Sequence, residues 1–299
     1  MSRIFDALQK SEFHGAGFEF SELALDGSSL AAQLTQTSEP LQTASSEMCE
    51  LGLFRSLPIA LAPNSRFVCL SEEESLAAEK FRFLGVRLRQ LQQASRLKKL
   101  LITSTIPEEG KSVVAGNLAI TLARRKQQRV LLLEGDLRRP LLAARFGLRK
   151  LPGLSEWLRS EPGAITNIYH LEEAGIWFLP AGKPPENPLE LMQAGRLPEL
   201  MEQLSAWFDW IVIDSPPVLP LADTTVWARA ADGVLLITRE GTTQKRQLER
   251  GLKVLQESNL LGVVVNSSSS TDHKNYYQRY AQVSRHKTAR PPSNFESSI

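Results

Sequence analysis

The stretch Ser104-Thr105-Ile106-Pro107-Glu108-Glu109-Gly110-Lys111-Ser112 constrains this chain more than any other part of it. Residues 99–104, which include Leu100-Leu101-Ile102, read as a strand, and residues 112–126 read as a helix. The loop between them follows the pattern Gly-x-x-x-x-Gly-Lys-(Ser/Thr), with Thr105 in the place of the first glycine. A strand–loop–helix of this kind turns backbone N–H groups inward around phosphate oxygens. The helix that starts there adds the positive end of its dipole. The pattern places Lys111 as a point charge for β- and γ-phosphates and the Ser112 hydroxyl as a magnesium ligand, so Mg-ATP is the expected ligand. Glu108 and Glu109 repel a polyphosphate unless magnesium or an outward orientation offsets them.

The rest of the chain supplies a setting for that loop. After a helix expected over residues 72–94, opened by the capping box Ser71-Glu-Glu-Glu74, strands and helices alternate. Strands are expected at 99–104, 129–134, 176–180, 210–214, 234–238 and 261–266, and further helices at 195–207 and 243–257. Fully apolar strands between helices predict a mostly parallel, doubly wound sheet covered on both faces, an α/β fold of three layers. Residues 2–12 read as a short amphipathic helix. Residues 13–60, rich in Ser, Thr, Gln and Glu, read as a mostly disordered linker. The expected division is 1–64 for helix and linker, 65–270 for the domain, and 271–299 for a flexible tail.

Two more strand ends carry acids. Val130-Leu-Leu-Leu-Glu134-Gly-Asp136-Leu-Arg138-Arg139 closes one strand, and Ile211-Val-Ile-Asp214-Ser-Pro-Pro217 closes another. In a parallel sheet the strand C-termini share one edge, where ligands bind, so these acids are expected beside the phosphate loop. Asp214 suits an outer-sphere magnesium contact. Glu134 and Asp136 suit magnesium binding or acceptance of a proton from an attacking hydroxyl.

The chain of 299 residues carries a net charge of +2, which gives no field that argues for nucleic acid or an anionic membrane surface. Its longest apolar runs, such as 130–133 and 211–213, are far shorter than the ~20 residues that span a bilayer. The first ten residues are charged throughout and lack the apolar core of a signal peptide. Cys49 and Cys69 have no metal-ligand spacing and read as free thiols of a reducing compartment. A cytoplasmic protein without direct membrane insertion is the expectation.

These motifs resemble those of the bacterial tyrosine kinases of capsule and exopolysaccharide assembly, a branch of the deviant P-loop ATPases. That family's first motif, roughly Ser-Ser-x-x-Pro-Gly-Glu-Gly-Lys-(Ser/Thr), is matched by Ser104 to Ser112. Its second, Asp-x-Asp-x-Arg after an apolar strand, is matched by Glu134-Gly-Asp136-Leu-Arg138. Its third, Asp-x-x-Pro, is matched by Asp214-Ser-Pro-Pro217. Weaker matches are Leu179–Pro188, Ala231–Ile237 and Gly262–Asn266, and the likeness spans about residues 66–280. It implies a P-loop NTPase fold and ATP-dependent autophosphorylation of tyrosine. Thr105, Pro107, Glu108, Glu109, Gly110, Lys111, Ser112 and Val113, with Arg138 and Asn266, would hold the nucleotide. Ser112, Asp136 and Asp214 would hold magnesium, and Lys111, Glu134, Asp136 and Asp214 would carry the chemistry. The phosphoacceptors would be Tyr276, Tyr277 and Tyr280 in the tail. The implied partners are a membrane polysaccharide co-polymerase, which would activate the chain and bring it to the inner membrane, and further copies of this chain, met through helix 72–94 and the tyrosine tail.

The sequence departs from the family's pattern at three places: Glu108 replaces a loop glycine, Glu134 adds a methylene to an aspartate position, and Glu79-x-x-Arg82-x-x-Gly85 lacks the last arginine of a motif that packs subunits into a ring. Arg87 and Arg89 are the nearby replacements. Two other readings of the same site remain open here. One is a non-kinase ATPase switch of the partitioning type, although no lysine lies between Leu101 and Gly110, where that type often has a second one. The other is a nucleotide-binding adaptor of a polysaccharide machine that has lost turnover.

Overall fold

A computed structural model of the chain describes residues 54–124, 128–161 and 163–267. The expected N-terminal helix, Cys49 and the three tail tyrosines lie outside them. Eight strands form one sheet: β1 (Arg55–Leu57), β2 (Lys99–Ser104), β3 (Val130–Glu134), β4 (Tyr169–Leu171), β5 (Ile176–Leu179), β6 (Trp210–Asp214), β7 (Gly233–Arg239) and β8 (Leu260–Asn266). Their order across the sheet is β1-β4-β5-β3-β6-β2-β7-β8. Only β4 and β5 run antiparallel to each other; the other neighbours are parallel.

Side chains alternate across a strand, so a strand that is apolar at every position must be covered twice. Leu101, Leu131, Leu133, Ile211 and Ile213 enter the core on one face. Leu100, Ile102, Val130, Leu132 and Val212 enter the core on the other. Against the second face pack α1 (Val68–Ser71), α2 (Leu76–Ala94) and α3 (Lys111–Ala123). Against the first pack α5 (Leu154–Arg159), α6 (Pro188–Gln193), α7 (Leu197–Trp207) and α8 (Asp223–Ala230), through residues such as Trp157, Met192, Leu200 and Trp227. A short α4 (Leu142–Arg145) follows β3, and α9 (Lys245–Val254) joins the last two strands. The three-layer, mostly parallel architecture expected from the sequence is therefore present. No described helix is long and apolar enough to cross a membrane.

Two local expectations need correction. Order does not begin near residue 65: β1 lies in the span read as linker, paired in parallel with Tyr169–Leu171, and the Ala60 and Ala62 amides donate to Phe146 and Arg145 carbonyls. A three-residue strand has too little pattern to be seen in sequence; it exists because β4 offers it an edge. The helix expected from residue 72 begins later, at Leu76, and a separate short helix precedes it. Ser71 ends α1, and Ser75 caps α2 by accepting the Ala78 amide at 3.1 Å. Gly85, where the expected arginine is missing, has a packing reason. A Cβ at that buried position would sit 3.0 Å from Thr121 Cγ2 on α3, so the residue marks the crossing of two helices. This face of α2 has no room for an arginine, while Glu79 and Arg82 pair with each other on the exposed side. Gly85→Arg should accordingly destabilise the domain by about 1–3 kcal/mol through overpacking, read as a lowered urea midpoint. Wild-type stability in that variant would contradict the α2–α3 crossing described here.

Candidate active site

The loop after β2 is held open by its own backbone and by one inward acid. Gly110 precedes α3 with φ at +93°, and a Cβ there would lie 2.2 Å from Asn266 Nδ2 at the end of β8. Only glycine meets both conditions. Glu109 is fully buried and turns away from the cleft. Its Oε2 accepts the Ile106 amide at 2.8 Å and its Oε1 accepts the Thr243 hydroxyl. Asn266 Nδ2 donates to the Glu109 carbonyl at 2.9 Å. Glu108, with φ at +68°, is exposed and lines the cleft. The two adjacent acids, equal in the sequence, thus differ in placement: one braces the loop, the other faces the ligand space. Thr105 is also accounted for, since its methyl packs at Gly251 of α9, where a Cβ would lie 3.2 Å away.

Strands β3, β6 and β2 are neighbours, so the ends of all three lie together, with Glu134 and Asp214 in register. Lys111 Nζ, at the start of α3, sits 2.9 Å from Asp136 Oδ2 and 3.9 Å from Asp214 Oδ1. Burial works against its charge, but Asp214 and then Asp136 outweigh that cost and hold the ammonium above its ordinary pKa. Asp214 is raised, first by burial, although Lys111 and a hydrogen bond from Ser112 oppose the rise. Its Oδ1 has no hydrogen-bond partner; at 3.9 Å the lysine supplies attraction without a bond. Asp136 keeps its other oxygen on the Arg139 amide at 3.0 Å.

Glu134 is placed differently. Its two oxygens accept the Leu142 and Ala181 amides, tying the loop after β3 to the loop after β5. Desolvation raises its carboxyl to about 7 despite those two bonds. Arg138 turns to Asp223, the first residue of α8, in a two-pronged pair of 2.7 and 3.0 Å. An open cleft of about 900 Å³ runs over these residues. Pro107, Glu108, Gly110, Lys111, Ser112, Val113, Asp136 and Arg138 line it, while Thr105, Glu109, Glu134, Asp214 and Asn266 stand behind the lining. Arg66, Arg139, Arg145, Leu141, Pro217, Pro220 and Leu221 complete the wall. Of these seven, sequence reasoning had singled out Arg139 and the Pro217 of the third motif. Burial, and then the charge of Arg66, hold Arg145 below its ordinary pKa.

The arrangement fits a nucleotide with its metal. Gly110 leaves the loop amides bare, and Asp214 offers a buried oxygen with no partner of its own. No group of three or more His, Cys, Asp or Glu forms a metal cage among the described residues. Magnesium, which keeps several of its waters, would need only one or two protein oxygens such as that of Asp214.

No family model matches the chain. Over 211 residues it is 31% identical to the tyrosine-protein kinase YwqD of Bacillus subtilis (strain 168), covering 70% of this chain and 89% of YwqD. The tyrosine-protein kinase ptk of Acinetobacter johnsonii is 34% identical over 212 residues; that alignment covers 71% of this chain but 27% of ptk, a much longer protein. Among solved structures, the kinase domain of the Escherichia coli tyrosine kinase ETK is similar at a TM-score of 0.64 and 25% identity, covering 75% of this chain and 96% of that domain.

The Glu134 carboxyl gives a pH test. In the unfolded chain it loses its proton near 4.5, whereas in the fold it holds it to about 7. The stabilisation is therefore complete below 4.5 and is lost as pH rises through 7. Between pH 4.5 and 7.5 the wild type should lose about 3 kcal/mol of unfolding free energy relative to Glu134→Gln, which cannot ionise. Urea unfolding at both pH values reads the difference; parallel curves for the two proteins would contradict the buried, late-titrating acid.

Proposed function

The chain belongs to the bacterial tyrosine-protein kinases, and we propose that it transfers the γ-phosphoryl group of Mg-ATP to tyrosine hydroxyls. The observation that carries the proposal is the Lys111 ammonium held between Asp136 and Asp214 beneath a phosphate loop, in a fold shared with the ETK kinase domain. When bound, Mg-ATP supplies the transferable group and the metal's positive charge. The loop amides of residues 108–113 and the Lys111 ammonium would hold the phosphates, and Ser112, Asp136 and Asp214 would face the metal. With the Lys111 ammonium turned to phosphate, the Asp136 carboxylate that it now holds would be free to take the hydroxyl proton. Asp136 suits that role better than Glu134, both of whose oxygens are occupied by backbone amides. Catalysis of this type rests on positioning and charge compensation more than on covalent chemistry. Since Arg138 is spent on Asp223, Arg139, Arg66 and Arg145 are the cations left to face developing charge along the cleft wall.

The acceptors in this reading are Tyr276, Tyr277 and Tyr280 of the 271–299 tail, modified in trans on neighbouring copies that associate through α2 and the tails. Each phosphotyrosine adds about −1.5 to −2 charges, which would push neighbouring tails apart and loosen an assembly. The reading extends to regulation of capsule or exopolysaccharide polymerisation and export. The cytoplasmic segment of a membrane co-polymerase would activate the chain and hold it at the inner membrane. The test is incorporation of label from γ-labelled ATP. Wild type should label on tyrosine, Lys111→Met should label roughly 100-fold less, and replacement of the three tail tyrosines by phenylalanine should abolish self-labelling while nucleotide binding persists. Labelling of wild type no better than of Lys111→Met would remove the kinase reading and leave a nucleotide-binding switch or adaptor.

A further inference from the structure

Helix α8 touches both acid-bearing loops with three side chains from one end. Asp223, 1% exposed, takes both prongs of Arg138. Thr224 Oγ1 donates to the Pro216 carbonyl at 2.8 Å, and Trp227 Nε1 donates to the Gly135 carbonyl at 3.1 Å. The indole lies so close over Gly135 that a Cβ there would fall 2.8 Å from its ring. Gly135 in turn donates its amide to the Asp214 carbonyl at 2.7 Å. The segment 134–138 and the segment 214–217 are thus joined to each other and, through three side chains, to α8.

The consequence runs to Asp136. Its Oδ1 is oriented by the Arg139 amide, the peptide group that follows Arg138. Fixing the Arg138 side chain fixes that peptide and leaves Asp136 Oδ2 for Lys111. An acid in the first turn of a helix is a common, weakly stabilising feature in its own right. Asp223 departs from that ordinary role because it is buried, bidentate, and paired with an arginine 85 positions away. A charge so placed must keep its partner, and the partner is on the catalytic loop.

We propose that Asp223 is a positioning residue: by holding Arg138 it sets Asp136, and through the shared segment Asp214, at the spacing that magnesium-bound nucleotide requires. The proposal rests on the site reading above. It separates from the loop around Gly110 and Lys111, which α8 does not touch through these bonds. Nucleotide affinity without magnesium therefore depends on the loop, and the increment that magnesium adds depends on Asp223. Arg138 keeps 36% of its side chain exposed, so water can solvate it when Asp223 is neutralised, and the fold should survive.

The experiment is calorimetric titration of the full chain with a non-hydrolysable ATP analogue, in magnesium and in a chelator, for wild type, Asp223→Asn, Arg138→Gln and the double variant. Asp223→Asn keeps the size of the side chain and one acceptor oxygen while removing the charge. It should lower the magnesium-dependent affinity about tenfold, as loss of an outer-shell partner does, and leave the chelator value within about twofold. Arg138→Gln should lower the magnesium-dependent affinity by a similar factor, and the double variant should be no worse than either single one. Equal losses with and without magnesium would make Asp223 a structural residue and overturn the proposal. Unchanged magnesium-dependent affinity, additive losses, or no binding by wild type would overturn it too. Tyrosine labelling measured alongside keeps the two readings apart. Absent labelling with the binding pattern intact removes the kinase and leaves the clamp, and labelling without that pattern removes the clamp alone.

Discussion

A buried ammonium persists only where carboxylates answer its charge, and Lys111 has two of them at 2.9 and 3.9 Å. Those two acids come from the end of β6 and the loop after β3, so the balance exists only after β3, β6 and β2 lie side by side. Parallel pairing brings their C-terminal ends to one edge, and apolar alternation on both faces of these strands forces the helices to cover both sides. The helices thereby leave the strand ends as the open rim of the sheet. The charge cluster and the fold are consequences of one another: without the layers the acids are dispersed, and without the acids the lysine would be an unpaired charge at the heart of the cleft.

Around this pair the chain uses its acids in two distinct ways. Asp136 and Asp214 keep oxygens directed at the lysine, while Glu134 is consumed by two backbone amides and Glu109 by one amide and the Thr243 hydroxyl. A carboxylate that accepts amide protons fixes a loop without offering charge to a ligand. This distinction explains how a site with an acid at 109, beside the phosphate glycine, remains able to cradle an anion. The departure at Thr105 follows the same logic, for its side chain leaves the cradle and packs at α9.

Much of this was legible in the residues themselves. The bounds read for β2 and β6 agree with the structure, because both are unbroken apolar runs ended by polar residues that change the pattern abruptly. The phosphate loop was legible because glycine, lysine and serine at that spacing between strand and helix serve few other purposes. What was hidden depended on direction or distance. Glu108 and Glu109 are adjacent acids in an aperiodic loop, and the positive φ of Glu108 sends the two opposite ways. Asp223 is an isolated acid in an unremarkable stretch, and its meaning appears only when Arg138 is brought to it across the sheet edge. Strand β1 owes its existence to β4 rather than to its own three residues.

The extra methylene of Glu134 then reads as a change of task. Two amides from different loops, Leu142 and Ala181, converge on its carboxylate while its backbone stays in register with Asp214. An aspartate from the same Cα is shorter by one carbon, about 1.5 Å, and would leave at least one of the two buried amides without its acceptor, a loss on the order of 1–3 kcal/mol. The longer acid closes both loops, and burial lifts its pKa to about 7. Near neutral pH a sizeable fraction of it is uncharged, which lessens the negative charge behind the cleft wall. The longer acid at 134 therefore fastens the loop that carries Asp136 while its partial neutralisation lowers the repulsion a nucleotide must overcome.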